Sequence, residues 1–437
     1  MQTVAFYTLG CKVNQYDTQA MLEKFLEAGY EVVPFEQKAD VYVVNTCTVT
    51  GTGDKKSMQM LRRARRQSPN SEIVLAGCLA QRMGLALLDT GARLILGTQR
   101  RAEVVTLLEQ AVKENRQMVA VESLSSVPYE PLSIHAQEGH TRAVLKIQEG
   151  CGRNCTYCII PSVRGPVRSR PLDEIAQEAQ HLSQAGFVEL VFTGIHLASY
   201  GKDFRDGTTL LDAIRTAHRV PGIQRIRLGS LEPTIASQAF VDALKELPKV
   251  CPQFHLALQS GSDPVLRRMA RGYTIGMFEE AVSRIREAFP GAAFTTDILT
   301  GFPGETEEEF RETMDACRRI GFARMHVFPY SPRAGTKAAE LPGQLSRQIK
   351  DQRAEQLIAL GEELATAYHQ SLMNTVQPVL LEEKLANGHL QGYTPSYVRV
   401  EVSFGTPGQI VNVRLTELLS EGMGGILAES ISDAQDL

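Results

Sequence analysis

Apolar residues along the chain gather into short runs separated by longer amphipathic stretches. Near the N-terminus the runs Thr3–Leu9, Val41–Asn45 and Ile73–Ala76 alternate with helical patterns near 16–29, 53–67 and 102–114. Short strands that are apolar throughout, alternating with helices, predict a parallel sheet covered on both faces. The period is lost over 122–140, where Ser, Pro and Gly collect in a linker. It resumes over about 141–345. Strands are predicted at Ala143–Gln148, Glu189–Thr193, Arg225–Gly229, His255–Gln259, Phe294–Thr300 and Met325–Tyr330. Helices are predicted at Pro171–Ala185, Ser237–Leu247, Phe278–Phe289 and Glu305–Ile320. Six βα units suit a complete or partial TIM-type barrel. The acids of Glu305-Thr306-Glu307-Glu308-Glu309 open the last helix, where the macrodipole favours negative charge. They read as a helix start, not as a metal site. A long helical stretch, 346–373, leads to a different texture. Val376–Leu381, Tyr397–Phe404 and Ile410–Leu415 are short strands separated by Gly, Pro and Asn, which predict a small β-barrel.

A chain of 437 residues with 43% hydrophobic content is neither disordered nor fibrous. It can bury a large core without disulfides. No apolar run reaches the roughly 18 residues of a membrane span. The start, Met1 to Phe6, lacks the features of a signal peptide. The expectation is a cytoplasmic protein with no membrane partner. The eight cysteines would then be reduced, so clustered cysteines point to metal or catalysis. The net charge is −4, distributed as +1 over 1–130, 0 over 131–370 and −5 over 371–437. The molecule as a whole is therefore not a simple polycation for nucleic acid.

Six of the cysteines have informative settings. Gly150-Cys151-Gly152-Arg153-Asn154-Cys155-Thr156-Tyr157-Cys158 directly follows the first strand of the barrel-like segment. Three thiolates within eight residues can bind three irons of a [4Fe–4S] cluster and leave the fourth open. Zinc is the rival, but its sites usually reach four ligands, and the nearest histidines are His140 and His181. Cys11, Cys47 and Cys78 each close an apolar run. On parallel strands they would lie at the carboxyl ends of one sheet, where open α/β sheets bind ligands. A second three-cysteine cluster and ordinary buried packing are the two readings. Cys251 and Cys317 read as packing residues.

The Cys-x-x-x-Cys-x-x-Cys loop resembles the radical S-adenosylmethionine (SAM) superfamily. Gly10-Cys11-Lys12-Val13-Asn14-Gln15-Tyr16-Asp17, Asn45-Thr46-Cys47-Thr48-Val49-Thr50 and Gly77-Cys78-Leu79-Ala80-Gln81-Arg82 resemble methylthiotransferase motifs. So does Cys155-Thr156-Tyr157-Cys158-Ile159-Ile160-Pro161-Ser162-Val163-Arg164-Gly165, continuing to Arg168-Ser169-Arg170. The first motif is most similar to the branch acting on threonylcarbamoyladenosine in tRNA. Asn154 departs from the aromatic that relatives commonly carry before the second cysteine, which bears on local packing.

The resemblance implies an α/β protein in three parts. These are an N-terminal open parallel α/β cluster domain over 1–120, a radical SAM partial (β/α)6 barrel over 137–370 and a TRAM β-barrel over 371–437. It implies two [4Fe–4S] clusters, held by Cys11, Cys47 and Cys78 and by Cys151, Cys155 and Cys158. It implies SAM as cofactor, with Tyr157 near the adenine and Gly194 near the amino group. One cluster cleaves SAM to a radical that activates C2 of the modified adenine beside the anticodon, the other supplies sulfur, and a second SAM supplies the methyl group. An external one-electron donor such as flavodoxin or ferredoxin is required. The alternatives are the isopentenyladenosine and ribosomal-protein S12 branches, a non-catalytic iron–sulfur RNA-binding regulator, and a zinc-dependent RNA-binding module.

Other residues stay open. Glu232 is either a ribose acceptor or the acid of a helix start, and Gln259 is either a polar SAM contact or part of the turn before the helix near Asp263. Asp297 reads as a turn partner, while His196 and His255 are given no role. Lys55, Lys56, Arg62, Arg63, Arg65 and Arg66 are either a solvated helix face or phosphate contacts. Arg164, Arg168 and Arg170 adjoin the proposed chemistry and are the stronger phosphate or carboxylate candidates. Tyr393, Tyr397 and Phe404 are candidates for stacking on bases of tRNA, although 371–437 carries three basic residues against eight acids.

Overall fold

The structure, a computed structural model, describes residues 2–135 and 141–428. The end of the linker, with His140, lies outside them. The N-terminal sheet runs β1 (Thr3–Thr8), β2 (Glu31–Val32), β3 (Val41–Thr46), β4 (Glu72–Gly77), β5 (Leu94–Leu96) and β6 (Met118–Ala120). Its spatial order is β2-β1-β3-β4-β5-β6, all parallel. Alternation along each strand divides the side chains between two cores. Val4, Val43 and Val74 pack with Met21, Phe25 and Leu108 on one face. Ala5, Tyr42 and Leu75 pack with Met60, Leu61 and Ala64 on the other. Both faces are thus buried under helices, as continuous apolar strands require.

The central part has two sheets. β7 (Arg142–Glu149), β8 (Arg168–Ser169), β9 (Glu189–Gly194) and β10 (Arg225–Leu228) lie in the order β10-β9-β7-β8. β11 (Gln253–His255), β12 (Ala293–Thr300) and β13 (Arg324–Pro329) form a second, parallel sheet. Isolated bridges Ile226↔Val250 and Leu231↔Leu256 join β10 to β11, so the two sheets make one partial barrel. The expected strand His255–Gln259 is displaced toward the N-terminus. Gln259 adopts φ +67°, a left-handed conformation that ends regular pairing there. The helix Glu307–Ile320 starts with a capping box between Thr306 and Glu309, so the acidic run is indeed a helix start.

The C-terminal part closes as a barrel of β14 (Val376–Lys384), β15 (Leu390–Tyr393), β16 (Arg399–Val402), β17 (Ile410–Leu419) and β18 (Gly422–Leu427). Two of its strands escape the hydrophobic pattern because one is four residues long and the other is glycine-rich. This barrel docks on the first central sheet. Arg225 donates to the carbonyls of Tyr393 and Pro378 at 3.1 and 2.7 Å, and Arg227 to that of Pro395 at 2.7 Å. The Tyr393 and Tyr397 rings stack 4.8 Å apart. The guanidiniums of Arg142 and Arg227 lie over the Tyr397 ring at 4.9 and 4.6 Å. Phe404 packs on the small barrel's own core. The three aromatics expected to stack on bases are therefore turned to interdomain and internal contacts.

Candidate active site

β1, β3 and β4 are neighbours at the centre of the N-terminal sheet, and each delivers a cysteine at its carboxyl end. Cys11 caps the helix Lys12–Glu27, Cys47 directly follows β3, and Cys78 opens the helix Cys78–Met83. Gly10, at φ +99°, makes the approach possible: a Cβ there would sit 3.0 Å from Cys47 Cβ and 3.1 Å from its Sγ. The thiols are within electrostatic reach of one another. Cys11 is exposed, Cys47 half-buried and Cys78 buried, so the triad opens to one side. Burial pushes the Cys78 thiol up to about 11 against the pull of Arg164, whose Nε donates to Sγ at 3.2 Å. Iron ligation replaces such a proton.

The second triad lies on the loop after β7. Backbone bonds pin it: Cys151 N to Gly165 O at 3.0 Å, Cys158 N to Cys155 O at 3.1 Å and Thr156 N to Met269 O at 3.0 Å. Arg153 N donates to Cys151 Sγ at 3.4 Å, and Arg271 Nη1 to Cys155 Sγ at 3.3 Å. Burial raises Cys151 and pushes Cys158 up to about 12. Asn154 is exposed, so no core contact depends on it. Among the described residues no three His, Cys, Asp or Glu side chains are grouped to hold a single metal ion. A cubane takes its thiolates on separate irons, whereas a structural zinc ion takes four ligands, so two sets of three cysteines suit clusters. Cys251 and Cys317 are buried away from both triads.

Arg164, Arg168 and Arg170 are not phosphate contacts. They are at most 4% exposed and belong to a buried ion network. Arg164 joins Asp17 at 3.0 Å and also contacts Glu149 and Asn14. Arg168 donates to the Arg164 carbonyl at 2.9 Å. Arg170 contacts Glu178, which accepts from Tyr16 Oη at 2.9 Å. Lys146 donates to Asp17 at 2.6 Å, and Arg101 binds Glu130 and Glu149 at 2.9 Å each. Motif residues Asn14, Tyr16 and Asp17 thus weld the N-terminal sheet to the partial barrel. Arg164 runs from one triad's Cys78 to Glu149, two residues before Cys151. A second latch joins Thr48 and Asp54, beside Cys47, to Arg82 and the buried Arg333 after β13.

The expected SAM residues lie at the ends of the barrel strands. Gly194 ends β9, and a Cβ there would meet Gln148 at 2.9 Å. Tyr157 packs edge-on to Phe302, with ring centroids 6.5 Å apart. Glu232 is buried between two guanidiniums, Arg153 and Arg271, the latter at 3.1 Å, with the His196 ring 3.4 Å away. Burial raises it, but these partners outweigh burial and hold it down to about 2. Its role as clamp between the cysteine loop and the barrel was hidden, because neither arginine adjoins it in sequence. Gln259 N donates to the Asp297 carbonyl at 2.9 Å. The Asp297 carboxylate faces inward to His255, 3.3 Å away, rather than serving a turn.

Comparison with known proteins covers each part. Family models match the radical SAM superfamily over residues 145–317, uncharacterized protein family UPF0004 over 3–97 and the TRAM domain over 370–421. The chain is 43% identical over 430 residues to threonylcarbamoyladenosine tRNA methylthiotransferase MtaB of Bacillus subtilis, covering 97% of this chain and 95% of that one. It is 34% identical to the enzyme of the same name from Thermotoga maritima, covering 99% and 98%. Identity to the tRNA-2-methylthio-N(6)-dimethylallyladenosine synthase of Natranaerobius thermophilus is 32%, covering 97% of each chain. Among solved structures, the radical SAM methyltransferase TsrM of Kitasatospora setae, with cobalamin and a [4Fe–4S] cluster bound, superposes with a TM-score of 0.56 at 16% identity. It covers 77% of this chain and 74% of its own, and shows likeness of fold alone.

Proposed function

We propose a function on one premise: the chain belongs to the methylthiotransferase family that these three relatives represent. It is a radical SAM enzyme that adds a methylthio group to C2 of N6-threonylcarbamoyladenosine next to the anticodon in tRNA. The 43% identity to the Bacillus subtilis threonylcarbamoyladenosine enzyme, against 32% to the dimethylallyl one, favours the former substrate. The single observation that carries the chemistry is the pair of cysteine triads on two different sheets, bridged by the buried Arg164.

Cys11, Cys47 and Cys78 would hold one [4Fe–4S] cluster, and Cys151, Cys155 and Cys158 the other. When bound, the clusters and SAM supply one-electron chemistry and transferable sulfur. The protein's own part is positional. Glu232, locked by Arg153 and Arg271, fixes the second cysteine loop, Gly194 lets backbone approach a ligand, and Tyr157 and Gln259 border the same strand ends. The division into a cluster part, a radical SAM part and a TRAM part follows the three sets of sheets. An external donor such as flavodoxin or ferredoxin supplies the electron. Lys55, Lys56, Arg62 and Arg66, exposed on the helix Gly51–Gln67, face tRNA phosphates. The tRNA substrate sets the work in the cytoplasm, and among the described residues no helix is long and apolar enough to cross a membrane.

Mass spectrometry of tRNA nucleosides tests the reading. A deletion strain loses 2-methylthio-N6-threonylcarbamoyladenosine, and Cys47→Ala fails to restore it while still cleaving SAM. Loss of the isopentenyl product instead would assign a sister substrate. A reduced protein that never cleaves SAM would be an iron–sulfur regulator.

A further inference from the structure

The lumen of the partial barrel holds more positive charge than its own acids balance. Along β13 the side chains alternate. Met325 packs outward against Gly361 of the helix Arg347–Ser371, where a Cβ would stand 3.2 Å from Met325 Cε. Arg324, His326 and Phe328 therefore point the other way. The His326 ring lies 6.0 Å from that of His255, which is itself paired with Asp297, so all three line one inner wall. That wall is wet: Arg324 is exposed, and Phe328 is 44% exposed although it faces the barrel interior. Lys12, the residue after Cys11, is also exposed. It lies within electrostatic reach of Tyr397 of the C-terminal barrel, of Arg142, Arg227 and Glu189 on the first sheet and of His326 on the second, which places it between the sheets.

Most lumen charges are matched. Arg142 pairs with Glu382, and Arg225 and Arg227 share Glu189, so the cations of the first sheet exceed their acids by one, which the Asp297 carboxylate, 3.3 Å from His255 on the second sheet, offsets. The side chains of Lys12 and Arg324 make no salt bridge or hydrogen bond among the described residues, and Glu189, the acid within electrostatic reach of Lys12, is already held by Arg225 and Arg227. Two unmatched cations in a walled cavity focus positive potential on whatever enters it. We propose that Lys12 and Arg324, flanking His326, form a carboxylate seat for the anionic end of the N6 substituent and select it over an apolar one. This rests on the function proposed above. A backbone phosphate and the methionyl carboxylate of SAM carry the same charge, so the test changes only the substituent.

The reconstituted holoenzyme is assayed on two anticodon stem-loops. One carries N6-threonylcarbamoyladenosine, and the other carries the same group with its carboxylate capped as the methylamide. Wild type should favour the acid by about ten- to a hundredfold in KM and in Kd by fluorescence anisotropy, the value of a charged hydrogen-bonded contact. Arg324→Gln should remove that preference by weakening the acid alone, with kcat little changed, and Arg324→Glu should invert it. Lys12→Gln should act the same way, with iron content measured because Cys11 is adjacent; if iron is lost, the Arg324 variants decide. Equal loss on both probes, or a wild type indifferent to the cap, overturns the seat. A wild type that binds the acid probe preferentially but never methylthiolates it overturns the function and leaves the seat standing.

Discussion

Asp17→Asn is the most informative single change outside the cysteines. Asp17 is 1% exposed and meets Lys146 at 2.6 Å, Arg164 at 3.0 Å and Arg101. The buried network around it holds Arg101, Lys146, Arg164 and Arg168 against Asp17, Glu130 and Glu149, a surplus of one positive charge beside the Cys78 thiol. Asn keeps the shape and an acceptor but removes one negative charge, leaving a surplus of two. Uncompensated buried charge costs about 3–5 kcal/mol. Glu149 still binds Arg101 and Arg164, which keeps the figure from growing further. The assay is urea unfolding of the cluster-free chain under anaerobic conditions, followed by circular dichroism because the sequence has no Trp. The control is Glu72→Gln, which breaks a partly exposed pair with Arg93 and should cost at most about 1 kcal/mol. Burial pushes Asp17 up, but its three cations outweigh burial and hold it below the ordinary carboxylate range. A depressed acid stabilises above its unfolded pKa and loses that contribution as pH falls through the folded one. The wild-type advantage should therefore be full near neutrality and vanish in strong acid, where the two curves meet. A midpoint shift no larger than that of Glu72→Gln would refute the argument.

Anaerobic reconstitution should give about eight irons per chain, and about four when Cys11, Cys47 and Cys78 are all replaced by Ala. Arg227→Leu strips Glu189 of its 2.7 Å partner and Pro395 O of its donor, so it should cost about 3–5 kcal/mol and loosen the C-terminal barrel, seen as faster hydrogen exchange in β15 and β16. Replacing Lys55, Lys56, Arg62 and Arg66 together by Gln should flatten the log–log salt dependence of tRNA binding by up to about 3 units, with the melting transition unmoved. An unchanged slope would take the helix out of the RNA interface.

The pattern of apolar runs located the central strands of both α/β parts because those strands are buried on both faces, and buried faces write continuous hydrophobic sequence. Cys11, Cys47 and Cys78 were legible for the same reason, since each closes such a run, whereas Cys151, Cys155 and Cys158 were legible from their spacing. What sequence could not show is pairing across distance. Arg164 reads as a cation beside a catalytic loop, and only its burial against Asp17, 147 positions away, makes it structural. Gln253–His255 was misplaced because Gln259 leaves the strand conformation without a glycine to announce it. The Glu232 clamp and the Asp54–Arg333 latch likewise join residues with no shared local pattern.

The acidic C-terminal barrel also becomes intelligible through its partners. Of its three basic residues, Arg399 is held by Glu401 and Gln391, and Arg414 donates to the Asn374 carbonyl at 3.0 Å. That leaves little positive charge there for phosphates. Its outlay of aromatic surface goes to the radical SAM barrel instead. Tyr397 sits at φ +68°, strained for a ring-bearing residue, and strain of this kind persists only where surroundings enforce it. The enforcing groups are Tyr393, Arg142 and Arg227; against burial, Arg142 foremost, then Lys12 and Arg227, hold the phenol below its ordinary pKa. Lys12 follows a cysteine of the first triad. The C-terminal barrel thus closes against the first central sheet and brings Tyr397 within electrostatic reach of a residue on which the carboxylate seat depends. Its acidity is no obstacle to an RNA-modifying enzyme, because closing a chamber against the radical SAM barrel requires no surplus of positive charge.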